Sequence, residues 1–193
     1  MKRFAGLFFP LLLAGCAVTP PQTVVRSPLE FADWQLDGRI GLTHGNQGWH
    51  ASLLWQESAD GFQLKVAGPL GQGGFQVAGD GRAVTLIDAD GQTSYAHNAD
   101  ALLLQATGWQ LPATGLRYWV RGLPVPGVEA IEVYDDAGRL SRLTQTGWVI
   151  NYDKYQSVEG VYLPTKLRLE RADLAVRLVI GQWHLGPPVV KVP

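Results

Sequence analysis

From Trp34 to Ile180 apolar residues recur mainly at every second position, the period of strands with one buried face. Trp34, Leu36, Ile40 and Leu42 alternate with Gln35, Asp37, Arg39 and Thr43; Ala51, Leu53 and Trp55 follow, then Phe62, Leu64 and Val66. Phe75/Val77 and Val84/Leu86 continue the pattern, and Gly45-Asn46, Ala59-Asp60-Gly61, Gly79-Asp80-Gly81 and Asp88-Ala89-Asp90-Gly91 punctuate it. Asp/Gly clusters spaced this closely predict hairpins, and hence a meandering antiparallel sheet. The middle of the chain departs from the period. Asn98-Ala99-Asp100 predicts a cap for a short apolar helix, Ala101–Ala106, stopped by Gly108. Pro112-Ala113-Thr114 opens a second helical stretch, Gly115–Arg121, which Gly122-Leu123-Pro124-Val125-Pro126-Gly127 ends. Alternation then resumes at Ile131/Val133, Leu140/Leu143, Trp148/Ile150/Tyr152, Leu163–Leu169 and Leu174/Val176/Leu178/Ile180. The pattern predicts a mainly β fold of about eleven strands, with two helices inserted after the sixth.

Upstream, Ser27-Pro28-Leu29-Glu30 has the order of a helix cap: Ser, then Pro, then Glu at the third position. Thr19, Pro20, Pro21, Gln22 and Thr23 before it read as an extended tether. Residues 186–193, with three prolines, read as an extended arm. Composition narrows the possible functions. A formal charge of −1 on 193 residues, with scattered Lys and Arg, excludes a phosphate-neutralising nucleic-acid binder. Seven Trp and 17% charged residues exclude a disordered chain. The single Cys excludes an internal disulfide and any multi-Cys metal site.

Position gives that cysteine its meaning. Met1-Lys2-Arg3 precedes the apolar run Phe4–Ala14, too short to span a bilayer and ordered like a secretory signal. Leu13-Ala14-Gly15-Cys16 resembles the bacterial lipobox, which implies a diacylglycerol on the Cys16 thiol, cleavage before it and an acyl chain on its amine. A simple signal peptide with a coincidental Cys is the alternative. Ala17, rather than Asp, follows the Cys, and by resemblance to bacterial sorting this implies the outer membrane. The expected organisation is a signal peptide over 1–15, a lipidated Cys and tether over 16–28, and one domain over 29–193.

Catalytic apparatus is hard to find. His44, His50, His97 and His184 have no metal-ligand spacing, and no G-x-S-x-G elbow occurs. Asp88-Ala89-Asp90-Gly91 lacks the later ligands of a calcium loop, and Gly71-Gln72-Gly73-Gly74 lacks the Lys-Ser/Thr of a phosphate loop. An esterase would need a pair such as Ser94 with His97, which sits at a strand end without an acid or a nucleophile elbow. The expectation is a protein that is not an enzyme and holds no metal or separate cofactor beyond the lipid on Cys16.

The chain has tryptophans and one odd loop instead. Trp49, Trp55, Trp109, Trp119, Trp148 and Trp183 fall in or beside predicted elements. They either fill a core or line a cavity enclosed by the curved sheet, with the two helices as a lid. Between two strands, Pro69-Leu70-Gly71 sets a Leu at a loop tip, where it either folds back on the sheet or forms an apolar finger for lipid.

Leu13-Ala14-Gly15-Cys16, Trp34-Gln35-Leu36-Asp37-Gly38-Arg39-Ile40, Trp55-Gln56, Pro69-Leu70-Gly71 and Arg117-Tyr118-Trp119-Val120-Arg121-Gly122-Leu123-Pro124 together resemble the LolB family of outer-membrane lipoprotein receptors. The stretch before Trp34 is shorter than the N-terminal helix associated with that family. The resemblance implies an incomplete antiparallel β-barrel with a helical lid over an apolar cavity. It implies a monomer, lipid-anchored on the periplasmic face, that takes acylated lipoprotein cargo from the carrier LolA and inserts it into the outer membrane. Leu70, flanked by Pro69 and Gly71, would be the membrane-insertion residue, and Trp55, Trp119, Trp148 and Trp183 would line the acyl-chain cavity. A scaffold lipoprotein with a side-chain-filled core and a protein partner is the competing expectation.

Overall fold

In a computed structural model of the chain, the structure describes residues 27–69 and 73–187. The expected signal peptide, Cys16, the tether up to residue 26, the finger residues Leu70 and Gly71, and the end of the C-terminal arm lie outside the described residues.

Eleven antiparallel strands form one sheet. In chain order they are β1 (Trp34–His44), β2 (Gln47–Ser58), β3 (Gly61–Ala67), β4 (Phe75–Gly79), β5 (Val84–Asp88) and β6 (Thr93–Ala96). After two helices, α1 (Ala99–Thr107) and α2 (Ala113–Trp119), come β7 (Ala130–Tyr134), β8 (Leu140–Gln145), β9 (Trp148–Val158), β10 (Val161–Arg171) and β11 (Leu174–Leu185). The spatial order is β6-β5-β4-β3-β2-β1-β11-β10-β9-β8-β7. Two meanders are therefore joined by one long-range pairing, β1 with β11, and the sheet stays open with β6 and β7 at its edges. The strand count and the place of the helices agree with the periodicity.

Inward positions of the strands build a single apolar cluster that runs from Trp34, Leu36 and Ile40 through Leu143 and Ile150 to Leu167 and Leu178. Register shifts interrupt three of the pairings, one of them β7–β8 at Val133/Tyr134. At Asp37/Gly38 the β1–β11 register shifts, and a Cβ on Gly38 would lie 2.5 Å from the Val179 carbonyl oxygen. On β10 the register with β9 shifts around Pro164, a residue that cannot donate to a ladder and is tolerated at such a bulge.

The helices follow local chemistry. Asn98 Oδ1 accepts from the Ala101 N–H at 2.8 Å, and Gly108, at φ 75°, ends α1 by donating to the Leu104 carbonyl. α2 starts two residues earlier than the sequence predicts, because the Pro112 carbonyl already accepts from Leu116 N–H at 2.8 Å. It also ends two residues earlier, at Trp119, before Gly122 turns the chain at φ 74°. Ser27 caps a 3₁₀ turn, Pro28–Glu30, with the reciprocal bonds expected from its sequence. All strands, both helices and the apolar cluster come from residues between 28 and 185, so a chain starting at residue 17 keeps the whole described fold.

Gly38→Ala should push β1 from β11 and lower the free energy of unfolding by about 2 kcal/mol. Gly48→Ala, where a Cβ meets nothing within 4 Å, should change it by less than about 0.5 kcal/mol. Urea unfolding of the chain from residue 17 measures both.

Candidate functional site: an apolar cavity under the helices

An open sheet needs something over its concave face. α1 and α2 supply it: Leu102 and Leu103 of α1 and Leu116 and Trp119 of α2 are buried. Asp100 Oδ1 accepts from the Thr114 N–H at 2.9 Å and from its hydroxyl at 3.1 Å, tying the start of α2 to the start of α1. Beneath them a cavity of about 310 Å³ remains unfilled, at the small end of the roughly 300–1,000 Å³ typical of ligand pockets. Ile40, Leu42, Trp49, Leu53, Trp55, Leu64, Val66 and Leu178 form its sheet-side wall, and Leu103, Ala106, Leu111, Ala113 and Leu116 its roof. Gly73, Gly74, Phe75 and the Asp88–Asp90 turn line its rim. Asp88 is committed to that turn, since its Oδ1 accepts from the Asp90 and Gln92 N–H groups at 2.9 Å each. The rim thus joins the start of β4 to the β5–β6 turn. Pro69, exposed on the β3–β4 connection, and Gly73 flank the finger residues in sequence.

Trp49 and Trp109 meet edge-on with ring centroids 6.4 Å apart, linking the sheet wall to the segment between the helices. Two buried polar groups fix the roof. Gln145, 2% exposed, accepts from Trp119 Nε1 at 2.9 Å and from Val125 N–H at 2.8 Å, and its amide donates to the Val125 and Val128 carbonyls. One side chain thus clamps α2 and the Gly122–Val128 segment after it to β8. Glu57, 4% exposed at the end of β2, accepts from Trp55 Nε1 at 3.2 Å and pairs with Arg117 of α2. Arg121 lies over the rings of Trp34 and Tyr118 and donates to the Pro28 and Phe31 carbonyls, closing the end of the barrel away from the rim. Burial raises the Glu57 carboxyl above its ordinary pKa, against the opposing pull of Arg117, the Trp55 bond and Arg121. Burial also lowers the Arg121 guanidinium, with Glu57 opposing.

Of the four tryptophans expected in the cavity wall, the structure places one there, Trp55. The other three pack elsewhere in the core. Trp119 is fully buried, bonded to Gln145 and 6.4 Å from Trp148. Trp183 donates to the Pro164 carbonyl at 2.8 Å, and its ring meets that of Trp34 at a tilt of 59°, centroids 5.6 Å apart. Trp49 and Trp109 line the cavity in their stead. Trp49 shares the odd-numbered phase of Ala51, Leu53 and Trp55, so its inward direction was readable; Trp109, between two helices, carried no such signal. Ser94 lies on β6 with exposed His97 just beyond it, and no hydrogen bond joins them. Among the described residues no three His, Cys, Asp or Glu side chains gather as a metal set.

A half-open antiparallel sheet wrapped on an apolar cavity, with two helices as roof, places the protein in the class of open β-barrels with a roofed interior. The same fold is seen in a LolA superfamily protein from Nitrosomonas europaea, with TM-score 0.55, 13% identity, and 88% of this chain and 92% of that one covered. A family model described as "Outer membrane lipoprotein LolB" matches residues 32–183. The chain is 38% identical to the outer-membrane lipoprotein LolB of Nitrosococcus oceani, over 91% of this chain and 94% of that protein. It is 35% identical to the LolB of Francisella tularensis, over 95% and 96% respectively. The chain belongs to the LolB family.

Glu57 gives a pH test. Between its ordinary value and its raised value in the fold, the folded chain keeps a proton that the unfolded chain has released. Its contribution to stability therefore falls as pH rises through that interval. Relative to Glu57→Gln, the parent should lose unfolding free energy from acidic pH to neutrality; a relative gain would mean that the Arg117 pair outweighs burial.

Proposed function

We propose that the protein is a lipid-anchored acceptor that takes acylated lipoproteins from the soluble carrier LolA and places them in the outer membrane. The observation that carries this reading is the unfilled apolar cavity, open at a rim lined by Gly73 and Gly74. Membership in the LolB family and the shared fold of a LolA superfamily protein support it.

Exposing an acyl chain of about sixteen CH₂ groups to water costs about 13 kcal/mol, at ~0.8 kcal/mol each. Cargo with two or three such chains needs shelter throughout an aqueous crossing. Passing a chain from one apolar cavity directly into another changes the free energy little. An advantage of about 1.4 kcal/mol for the acceptor is enough to bias the transfer tenfold. Such a step needs no nucleotide, metal or bond cleavage. Acyl chains on Cys16 hold the acceptor where cargo is needed, since two chains anchor stably where one does not. Leu70, presented between Pro69 and Gly71, supplies the apolar contact that moves cargo from cavity to bilayer. In this account the protein acts as a monomer and is not an enzyme.

When the chain from residue 17 is mixed with LolA carrying an acylated lipoprotein, the cargo should co-purify with the chain. Leu70→Glu should still accept cargo but deliver it to outer-membrane vesicles at least tenfold more slowly. Retention of all cargo on LolA by a folded chain would instead favour a scaffold lipoprotein.

The roof supplies an independent test. Ala106 is exposed at the cavity edge, so Ala106→Trp should leave unfolding within about 0.5 kcal/mol of the parent. It should also weaken uptake of a fluorescent fatty acid about tenfold. Unchanged uptake would place the ligand elsewhere.

A further inference from the structure

We infer that the outer face of the sheet around β8–β11 and β1 is a docking surface for anionic phospholipid, which lays the barrel against the bilayer. Cross-strand register lines up two rows on that face. One runs Arg142, Asn151, Arg168, Arg177, Gly41, His50 from β8 to β2, six strands across and therefore roughly 24 Å long. The second runs Lys154, Lys166, Val179, Arg39 from β9 to β1. Their neighbours along the strands, Leu143, Leu167, Leu178 and Ile40, are buried, so the cations stand on the face away from the cavity.

Three carboxylates share the face. Asp153 is spent on Arg168, at 2.9 and 3.1 Å, and Asp37 accepts from Gln35 at 2.9 Å; Glu170 stands beside the first row. The side chains of Arg39, Arg142, Lys154, Lys166 and Arg177 make no hydrogen bond or ion pair among the described residues, in a chain whose formal charge is −1. The face thus carries six cations, Arg168 included, against three carboxylates. Gly41 deepens it: with no side chain between His50 and Arg177, it floors a groove of about 520 Å³ bordered by Arg168 and Arg177, with Glu170 the one carboxylate in its lining. Val179, 43% exposed between Lys166 and Arg39, adds apolar surface among the charges.

Cations spread over several strands instead of converging on one pocket suit a surface of many phosphates better than a single ligand. Basic clusters beside a membrane bind anionic lipid in this additive, salt-sensitive way. An acidic protein is the other chemistry such a face could meet. The membrane is favoured because the family is one of outer-membrane lipoproteins, so a bilayer is the surface always within reach. The inference rests on the membrane-attached reading above.

Flotation of the unlipidated chain from residue 17 with phosphatidylglycerol vesicles, against phosphatidylcholine vesicles, tests it. Binding should be at least about tenfold stronger to the anionic vesicles and should fall about tenfold between about 0.05 and 0.5 M salt. Combining Arg39→Glu, Lys166→Glu and Arg177→Glu should abolish that preference, with circular dichroism and fatty-acid uptake unchanged. The same three positions changed to Gln should weaken binding by a smaller factor, which guards against a folding defect. Equal binding to both vesicles, or an unaltered preference in the triple Glu variant, would overturn the inference. So would a variant that binds vesicles like the parent but no longer receives cargo from LolA, since the face would then read an acidic protein. Salt-sensitive vesicle binding by a parent that never accepts cargo would uphold the surface and reject the acceptor function instead.

Discussion

Without the pairing of β1 with β11, the chain would be two separate meanders with no common concave face. That pairing joins the first strand to the last and turns two local meanders into one eleven-stranded sheet. Because both meanders grow outward from that seam, their far strands, β6 and β7, become edges that do not meet. The chain between those two strands contains both helices, so topology places the helices over the open side. Gly38 lets the seam close: any side chain there would run into the Val179 backbone.

The cavity follows from how the roof is held. Packing alone would draw two short apolar helices into the sheet until the space was filled. Buried polar bonds position them instead. Gln145 holds the end of α2 and the following segment at β8, Glu57 engages Arg117, and Asp100 locks the two helix starts together. Trp119 and Trp148 fill the β8–β9 side, while Trp34 and Trp183 fill the end near the 3₁₀ turn. The space left empty lies over β1–β3, where Trp55, Leu53 and Val66 face Leu103 and Leu116. A wall of this kind gains from any apolar chain that replaces water, with no need for directional contacts.

Much of the fold could be read in the sequence because a half-buried strand writes its period plainly, as in Leu163–Leu169 and Leu174–Ile180. The helix ends were legible where one residue determines them, Asn98 and Gly108, and less so for α2, where Pro112 contributes a carbonyl rather than a side-chain cap. The site was harder to read. A strand period tells which face a tryptophan takes, yet both a packed core and a cavity lie on the same face. Trp119, Trp148 and Trp183 were therefore indistinguishable from Trp55 until their ring N–H partners and neighbours were known. Glu57 and Gln145 look like ordinary polar residues on alternating strands, and only long-range contacts with α2 give them their roles. The LolB resemblance rested on short segments, of which Arg117–Pro124 proves to be the one that fixes the roof.

If the proposed acceptor role holds, the acyl chains of cargo lie in this cavity. A lipoprotein carrying a diazirine-bearing fatty acyl chain, loaded onto the chain and irradiated, tests it directly once the cross-linked residues are mapped by mass spectrometry. Adducts are expected on the inner residues of β1–β3 and on α1 and α2, among them Trp49, Leu53 and Leu103. Adducts confined to the outer face of the sheet, or none from a folded chain that has bound the cargo, would contradict it.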